Sequence, residues 1–282
     1  MTARLITHPD VAMQTTRVLE RLMKAGVDVE SSGTGAEDGV RSHADPFGAL
    51  RAGTVDLALV GIHALRGSAP DDLTTVAVLP REEVRDVLVA PAGPSRSLHD
   101  LPHGARVGVS GARRRAFLRA HRPDAEVVEL PPPGTARETE GVADAMIMSA
   151  LEARHAGLAD AAVEALDARA WLPEPGQGVV ALVARHPIAE ATALDHLPTR
   201  TALRAELALL EALDAGPDAP FGCVAQPSGR WIRLWAGAVS PDGTRLVRSD
   251  RTGPLDEPEA LGGAVAREMR SRGYGLVVAR AG

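Results

Sequence analysis

Val107-Gly-Val-Ser-Gly-Ala-Arg-Arg-Arg115 is the stretch from which the rest of the chain is read. Its pattern predicts a buried strand over 106–109, a turn at Ser110-Gly111 and a helix over 112–121. A helix start leaves backbone N–H groups open and presents the positive end of its dipole, so this turn suits an anion. Arg113 and Arg114 add forked donors that match carboxylates. The same residues also read as an ordinary βα turn followed by a solvated basic helix, and the surrounding chain weighs between the two.

Working outward, apolar runs predict strands over 3–7, 27–30, 55–60, 75–79 and 84–90 before the stretch. Val11, Val18, Leu19 and Leu22 recur at helical spacing, and Ala25-Gly26 ends that helix. Residues 31–46 are rich in Gly, Ser and acidic side chains and read as a loop, followed by a brief helix over 47–51. After the stretch come strands over 126–130, 144–149 and 179–184, with a helix over 150–156. Strands alternating with helices imply α/β domains with largely parallel sheets. From 199 the pattern changes: a leucine-rich helix to 213, a hairpin of 231–238 and 245–249 around Pro241-Asp-Gly243, a helix over 258–270, and a last short strand over 275–279. The predicted division is 1–90 with 173–197 as a first lobe, 91–172 as a second, and 198–282 as a C-terminal α+β domain.

The chain has 282 residues, 45% of them hydrophobic, with no apolar run long enough to span a membrane. Its start, Met-Thr-Ala-Arg-Leu-Ile-Thr, lacks a signal-peptide layout, which reads as cytoplasmic. A net charge of −6 and 2% aromatic residues argue against a nucleic-acid partner. Lys24 is the one lysine, on a predicted surface helix, so Schiff-base chemistry would have to fall there. Cys223 is the one cysteine, which excludes an internal disulfide and a cysteine-cluster metal site, and no His/Asp/Glu group has zinc spacing.

A set of motifs in order adds a resemblance. Asp56-Leu-Ala-Leu59, Leu79-Pro-Arg-Glu-Glu-Val-Arg-Asp-Val-Leu-Val89, Val109-Ser-Gly-Ala-Arg-Arg114, Arg122-Pro-Asp124 and Leu172-Pro-Glu-Pro-Gly-Gln-Gly178 resemble porphobilinogen deaminase (hydroxymethylbilane synthase). The likeness continues through 205–216, Ala219-Pro-Phe-Gly222 and Pro241-Asp-Gly-Thr244. It implies two lobes like those of type II periplasmic binding proteins, joined by two crossing strands, and a third domain that carries a linear-pyrrole cofactor on a cysteine. The family joins porphobilinogen molecules head to tail with loss of ammonia, and cleft arginines hold the acetate and propionate groups. On this resemblance Ser110, Arg113, Arg114 and Arg137 fall on the family's anion-binding positions; Gln177, between two glycines, reads either as a cleft-lining residue or as the end of a turn.

The departures from the family pattern bear on function. The cofactor cysteine of the family's Gly-Gly-Cys-x-x-Pro-x-Gly loop falls on Pro217. The catalytic aspartate of its His-Ser-Leu-Lys-Asp-Val-Pro falls on Ala64, which cannot stabilise a cationic intermediate. The N-terminal Thr-Arg-x-Ser reads Thr7-His8-Pro9, and the Arg-Gly-Asn reads Pro131-Pro-Pro133. These changes imply an altered enzyme acting on a carboxylate-bearing pyrrole or similar small anionic metabolite without a covalent dipyrromethane. His63, beside Ala64, reads either as a histidine at a strand end with no chemical role or as the candidate general acid or base; His8, Glu37 and Asp45 are lesser candidates. A non-catalytic binding or carrier protein of the same fold is the second reading, and a deaminase with a non-covalently held primer the third. The expectations are thus no metal, no dipyrromethane, and a pyrrole-like metabolite as partner rather than nucleic acid or membrane.

Overall fold

The structure is a computed structural model that describes residues 2–7, 14–31, 41–42, 45–61, 72–90, 97–131, 143–216 and 218–279. Its contacts divide into two units, 1–82 with 178–200, and 83–177 with 201–282.

The first unit holds a mixed sheet. Strands β1 (Thr2–Thr7), β2 (Asp28–Ser31), β3 (Arg41–Ser42), β4 (Leu57–Gly61), β5 (Thr74–Val78) and β11 (Val180–Ala184) take the order β2-β1-β4-β11-β5, with β3 on β1. β1 runs parallel to β2, β3 and β4, whereas β11 is antiparallel to both β4 and β5. β4 and β11 are buried at every position, which is why both read as continuous apolar runs. Helix α1 (Thr15–Lys24) lays Val18 and Leu22, and the short helix α5 (Ala189–Thr192) lays Ala191, into the core with Leu5, Leu57 and Leu182. Helix α2 (Pro46–Arg51) starts at Asp45, whose carboxylate caps the helix by accepting from the Gly48 N–H at 2.8 Å. Asp45, a lesser catalytic candidate, thus has a capping role.

The second unit contains two sheets. β6 (Asp86–Val89), β7 (Arg106–Val109), β8 (Glu126–Glu129), β9 (Ala145–Ser149) and β10 (Ala162–Ala165) follow the order β10-β6-β9-β7-β8. β7 is parallel to β8 and β9, while β6 is antiparallel to β9 and to β10. The predicted strand over 84–90 therefore belongs to the second sheet. The contact division ends the first unit at Glu82 and returns to it at Gly178, where the sequence pattern expects 90 and 173. A strand's partners are set by topology, which its own apolar pattern does not encode. β11 and β7 lie in different sheets, as the two-lobe reading requires.

The third sheet is an antiparallel meander of β12 (Phe221–Ser228), β13 (Trp231–Val239) and β14 (Leu246–Pro254). It packs into one core with α6 (Leu197–Leu213) and α7 (Pro258–Ser271), through Ala205, Leu209, Ile232, Leu234, Val265 and Met269. The predicted last strand over 275–279 is instead helix α8, Tyr274–Val278, entered through Gly273 at φ 92°. At the hairpin tip Gly243 has φ 80°, and a Cβ there would come within 2.6 Å of the Arg119 backbone. The tip therefore docks on helix α3 (Ala112–His121), where Arg119 Nη1 donates to the Pro241 carbonyl at 2.6 Å. Among the described residues no helix is long and apolar enough to cross a membrane.

Candidate functional site

Strand β7, the turn at Ser110-Gly111 and helix α3 form as the sequence pattern predicts, with Gly111 at φ 87° and no side chain capping the helix. Helix α3 nevertheless buries two of its basic residues: Arg113 and Arg114 are 8% and 7% exposed. Both face Asp86, the first residue of β6, which is fully buried. Arg113 Nη2 donates to Asp86 Oδ2 at 2.8 Å, and Arg114 Nη2 to Oδ1 at 3.1 Å. The Trp171 indole N–H donates to Oδ2 at 2.9 Å, and Gln177 Nε2 to Oδ1 at 3.0 Å.

Further donors of these residues are engaged by the protein. Arg113 Nη1 reaches the Leu172 carbonyl at 2.8 Å, Arg114 Nη2 reaches Glu152 Oε2 at 2.7 Å, and Gln177 Nε2 also donates to the Val84 carbonyl at 2.7 Å. Glu152 sits in helix α4 (Ala150–His155) and completes a capping box with Ser149 while it holds Arg114. Two guanidinium charges thus meet two carboxylates in a largely water-excluded place. Burial alone would raise the Asp86 carboxyl, but Arg113 and Arg114, with bonds from Arg114 and Trp171, hold it well below the usual carboxylate range. Burial likewise opposes the charge on Arg114, and Asp86 and Glu152 more than offset it.

The structure therefore gathers three of the residues singled out from sequence, Arg113, Arg114 and Gln177, around a fourth that sequence reasoning missed. Asp86 carried a readable signal, since a carboxylate opening an otherwise apolar strand needs buried partners. Ser110 stands half-buried between β7 and Gly111. His63, Arg137 and Pro217, with His8 and Glu37, lie outside the described residues. Arg115, on the same helix, turns to Glu129 at 2.9 Å and is about one-third exposed. Cys223 lies in β12, 0% exposed, within the core of the third sheet, and its N–H donates to the Pro173 carbonyl at 2.9 Å. Among the described residues no group of His, Cys, Asp and Glu could hold a metal ion.

Comparison with known proteins supplies the lineage. Two family models match: porphobilinogen deaminase, dipyromethane cofactor binding domain, over residues 47–193, and porphobilinogen deaminase, C-terminal domain, over 201–271. The porphobilinogen deaminase of Desulforudis audaxviator is 35% identical over 235 residues, covering 80% of this chain and 75% of the relative. That of Roseiflexus castenholzii is 36% identical, covering 80% and 76%, and that of Thermobifida fusca 34%, covering 83% and 77%. Among solved structures, immunogenic lipoprotein A from Vibrio vulnificus aligns with a TM-score of 0.46 at 15% identity, over 68% of this chain and 92% of that one. The Bordetella pertussis BvgS periplasmic VFT2 domain aligns with a TM-score of 0.42 at 19% identity, over 68% and 84%. With both of its family models matched in order and relatives at about 35% identity over four-fifths of its length, this chain belongs to the porphobilinogen deaminase family.

Proposed function

We propose that this chain is an altered member of its family, which takes a carboxylate-bearing pyrrole or similar small anionic metabolite non-covalently, in the cytoplasm, without a covalent dipyrromethane. The observation that carries this reading is Cys223. Attachment of the family's cofactor requires a reachable sulfur, and the one sulfur of a thiol in this chain lies at 0% exposure inside the core of the third sheet. Pro217, at the position that resembles the family's cofactor cysteine, has no thiol to offer. The residues present do not fit the group.

In this reading His63 is the side chain that moves a proton, since its unperturbed pKa lies near neutrality and Ala64 beside it cannot. Arg137 supplies a cation for the ligand carboxylate. A non-catalytic binding protein of the same fold is the second reading; in both, the Arg113 and Arg114 donors that go to Asp86, Glu152 and the Leu172 carbonyl brace the fold, and the ligand carboxylate is left to Arg137. Neither reading calls on a nucleic acid or a membrane as partner.

The test is intact-mass measurement on protein made in haem-synthesising cells, followed by incubation with porphobilinogen while substrate loss and binding heat are recorded. The expected results are the mass of the bare chain and saturable binding that Arg137→Ala weakens. Substrate consumption lost in His63→Ala would select the altered enzyme, and binding without consumption the carrier. A mass increment removed by Cys223→Ser, or release of a linear tetrapyrrole by the wild type, would overturn the proposal.

A further inference from the structure

The third sheet turns one face to its own core, where Ile232, Leu234 and Ala236 of β13 pack with residues of α6 and α7. On the other face Trp231, Arg233 and Trp235 stand in one row, because alternate residues of a strand share a face. The register sets Trp231 between Ser228 and Pro254, Arg233 between Gln226 and Thr252, and Trp235 between Val224 and Asp250. Val224 and Trp235 lean on the core of the second sheet. Beyond them the row is open, and Trp231 is 48% exposed. The wet face of an antiparallel sheet normally carries polar side chains, yet two of the chain's three tryptophans stand here.

Three guanidinium groups lie over these rings. Arg230 is 5.6 Å from the Trp231 centroid, and Arg233 and Arg169 are 4.9 Å and 5.5 Å from that of Trp235. Arg233 is also paired with Asp250. The guanidinium groups of Arg169 and Arg230 make no hydrogen bond or ion pair among the described residues. Arg248, opposite Gly237 in the register, shares this face. Four arginines against Asp250 and Asp167, which accepts from the Arg169 N–H, leave two positive charges in excess on a chain of net −6. Exposed tryptophan and arginine together are the side chains that carry most protein–protein binding energy.

We propose that this face docks a partner protein through an extended segment with two carboxylate side chains four residues apart and an apolar side chain midway. Trp231 and Trp235 are four residues apart on one strand, about 13 Å. An extended segment repeats that spacing, so its residues i, i+2 and i+4 all turn to the sheet. The carboxylates at i and i+4 meet Arg230 and Arg169 as forked, charge-assisted pairs. The apolar residue at i+2 lies between the indoles, over the aliphatic stem of Arg233. Single-stranded nucleic acid also stacks on indoles, but the net charge of −6 opposes a long polyanion. The face uses none of His63, Arg113, Arg114 and Arg137, so it stands or falls apart from the reading above.

The experiment is calorimetric titration of the full-length protein with the end-capped peptide Gly-Glu-Thr-Leu-Thr-Glu-Gly. Its isomer Gly-Thr-Glu-Leu-Glu-Thr-Gly, with the carboxylates two apart, and a thymidine trinucleotide of the same charge are the controls. The first peptide is expected to saturate at about 0.1–1 mM and to bind about tenfold more tightly than its isomer. Trp231→Ala, Arg230→Gln and Arg169→Gln should each weaken it about 3- to 10-fold, with unfolding temperatures close to wild type because all three side chains are exposed. The double variant Arg169→Gln, Arg230→Gln should bind the two peptides alike. The proposal is overturned by equal binding of both peptides to the wild type, by variants that bind as the wild type does, by tighter binding of the trinucleotide, or by no binding at about 5 mM.

Discussion

The indole N–H of Trp171 donates to Oδ2 of Asp86 across 2.9 Å, joining a residue that opens a strand to one 85 positions later in the chain. The contact ties the segment leading out of the second sheet to the carboxylate that holds both arginines of α3. Asp86 is thus the point on which β6, α3 and the Trp171 segment converge.

Replacing Asp86 by Asn would leave two buried guanidinium groups without their shared counter-charge. Breaking a buried ion pair from one side costs about 3–5 kcal/mol, and the retained shape of Asn does not restore the charge. A thermal scan should show a markedly lower unfolding temperature for Asp86→Asn. A wild-type-like midpoint would refute the central role of this carboxylate.

Arg114 and Arg115 are neighbours that should behave differently. Arg114 is held by Asp86 and Glu152 at low exposure, whereas Arg115 and Glu129 are substantially exposed. Arg114→Ala should therefore destabilise by several kcal/mol, and Arg115→Ala by about 0–1 kcal/mol. Denaturant midpoints of the two variants, measured side by side, check this ordering.

His121 predicts a pH dependence. Its ring lies 6.2 Å from Phe117 and 5.3 Å from Trp171, and Nδ1 meets the Phe117 carbonyl at 2.9 Å. Burial, with Arg248 and His99 nearby, lowers its pKa below 6.5 despite the bond to Phe117. The folded state then binds the proton less readily than the unfolded chain, so the contribution is complete above about 6.5 and is lost as pH falls toward the folded value. Unfolding midpoints should decline from pH 7 to pH 5, and His121→Phe should flatten that decline.

Gly243→Ala should loosen the docking of the β13–β14 hairpin on α3. The residue has a positive φ, and the new Cβ would meet main-chain atoms of Arg119 and Ala120, which cannot swing aside. A loss of about 1–3 kcal/mol is expected from the backbone strain alone. Hydrogen exchange at the amides of residues 241–245 would report it as faster opening.

Much of this architecture was legible along the chain. The span of α3, the strand before it and the buried runs of β4, β9 and β11 follow from apolar periodicity, because each is a long or fully buried pattern. Partnership was not legible: β6 looked like a member of the first lobe, since nothing local says that β9 and β10 will flank it. Gly275-Leu-Val-Val278 was too short for its period to separate strand from helix, and packing of Tyr274 and Val277 into the third core decides for helix. Arg113 and Arg114 were read by charge as donors to a ligand, apart from Arg115. In the structure, helix geometry turns Arg113 and Arg114 inward to Asp86 and Arg115 outward to Glu129.

The place of β11 in the first sheet has a consequence for how the protein is made. β4 and β5 have both been synthesised by Val78, yet the strand that sits between them begins only at Val180. At ordinary ribosomal speed that interval lasts about 5–20 s. During it β4 and β5 have open edges and no common neighbour, while all five strands of the second sheet emerge. The N-terminal residues thus wait for a later segment to close their sheet, and this window is where a chaperone has most to protect.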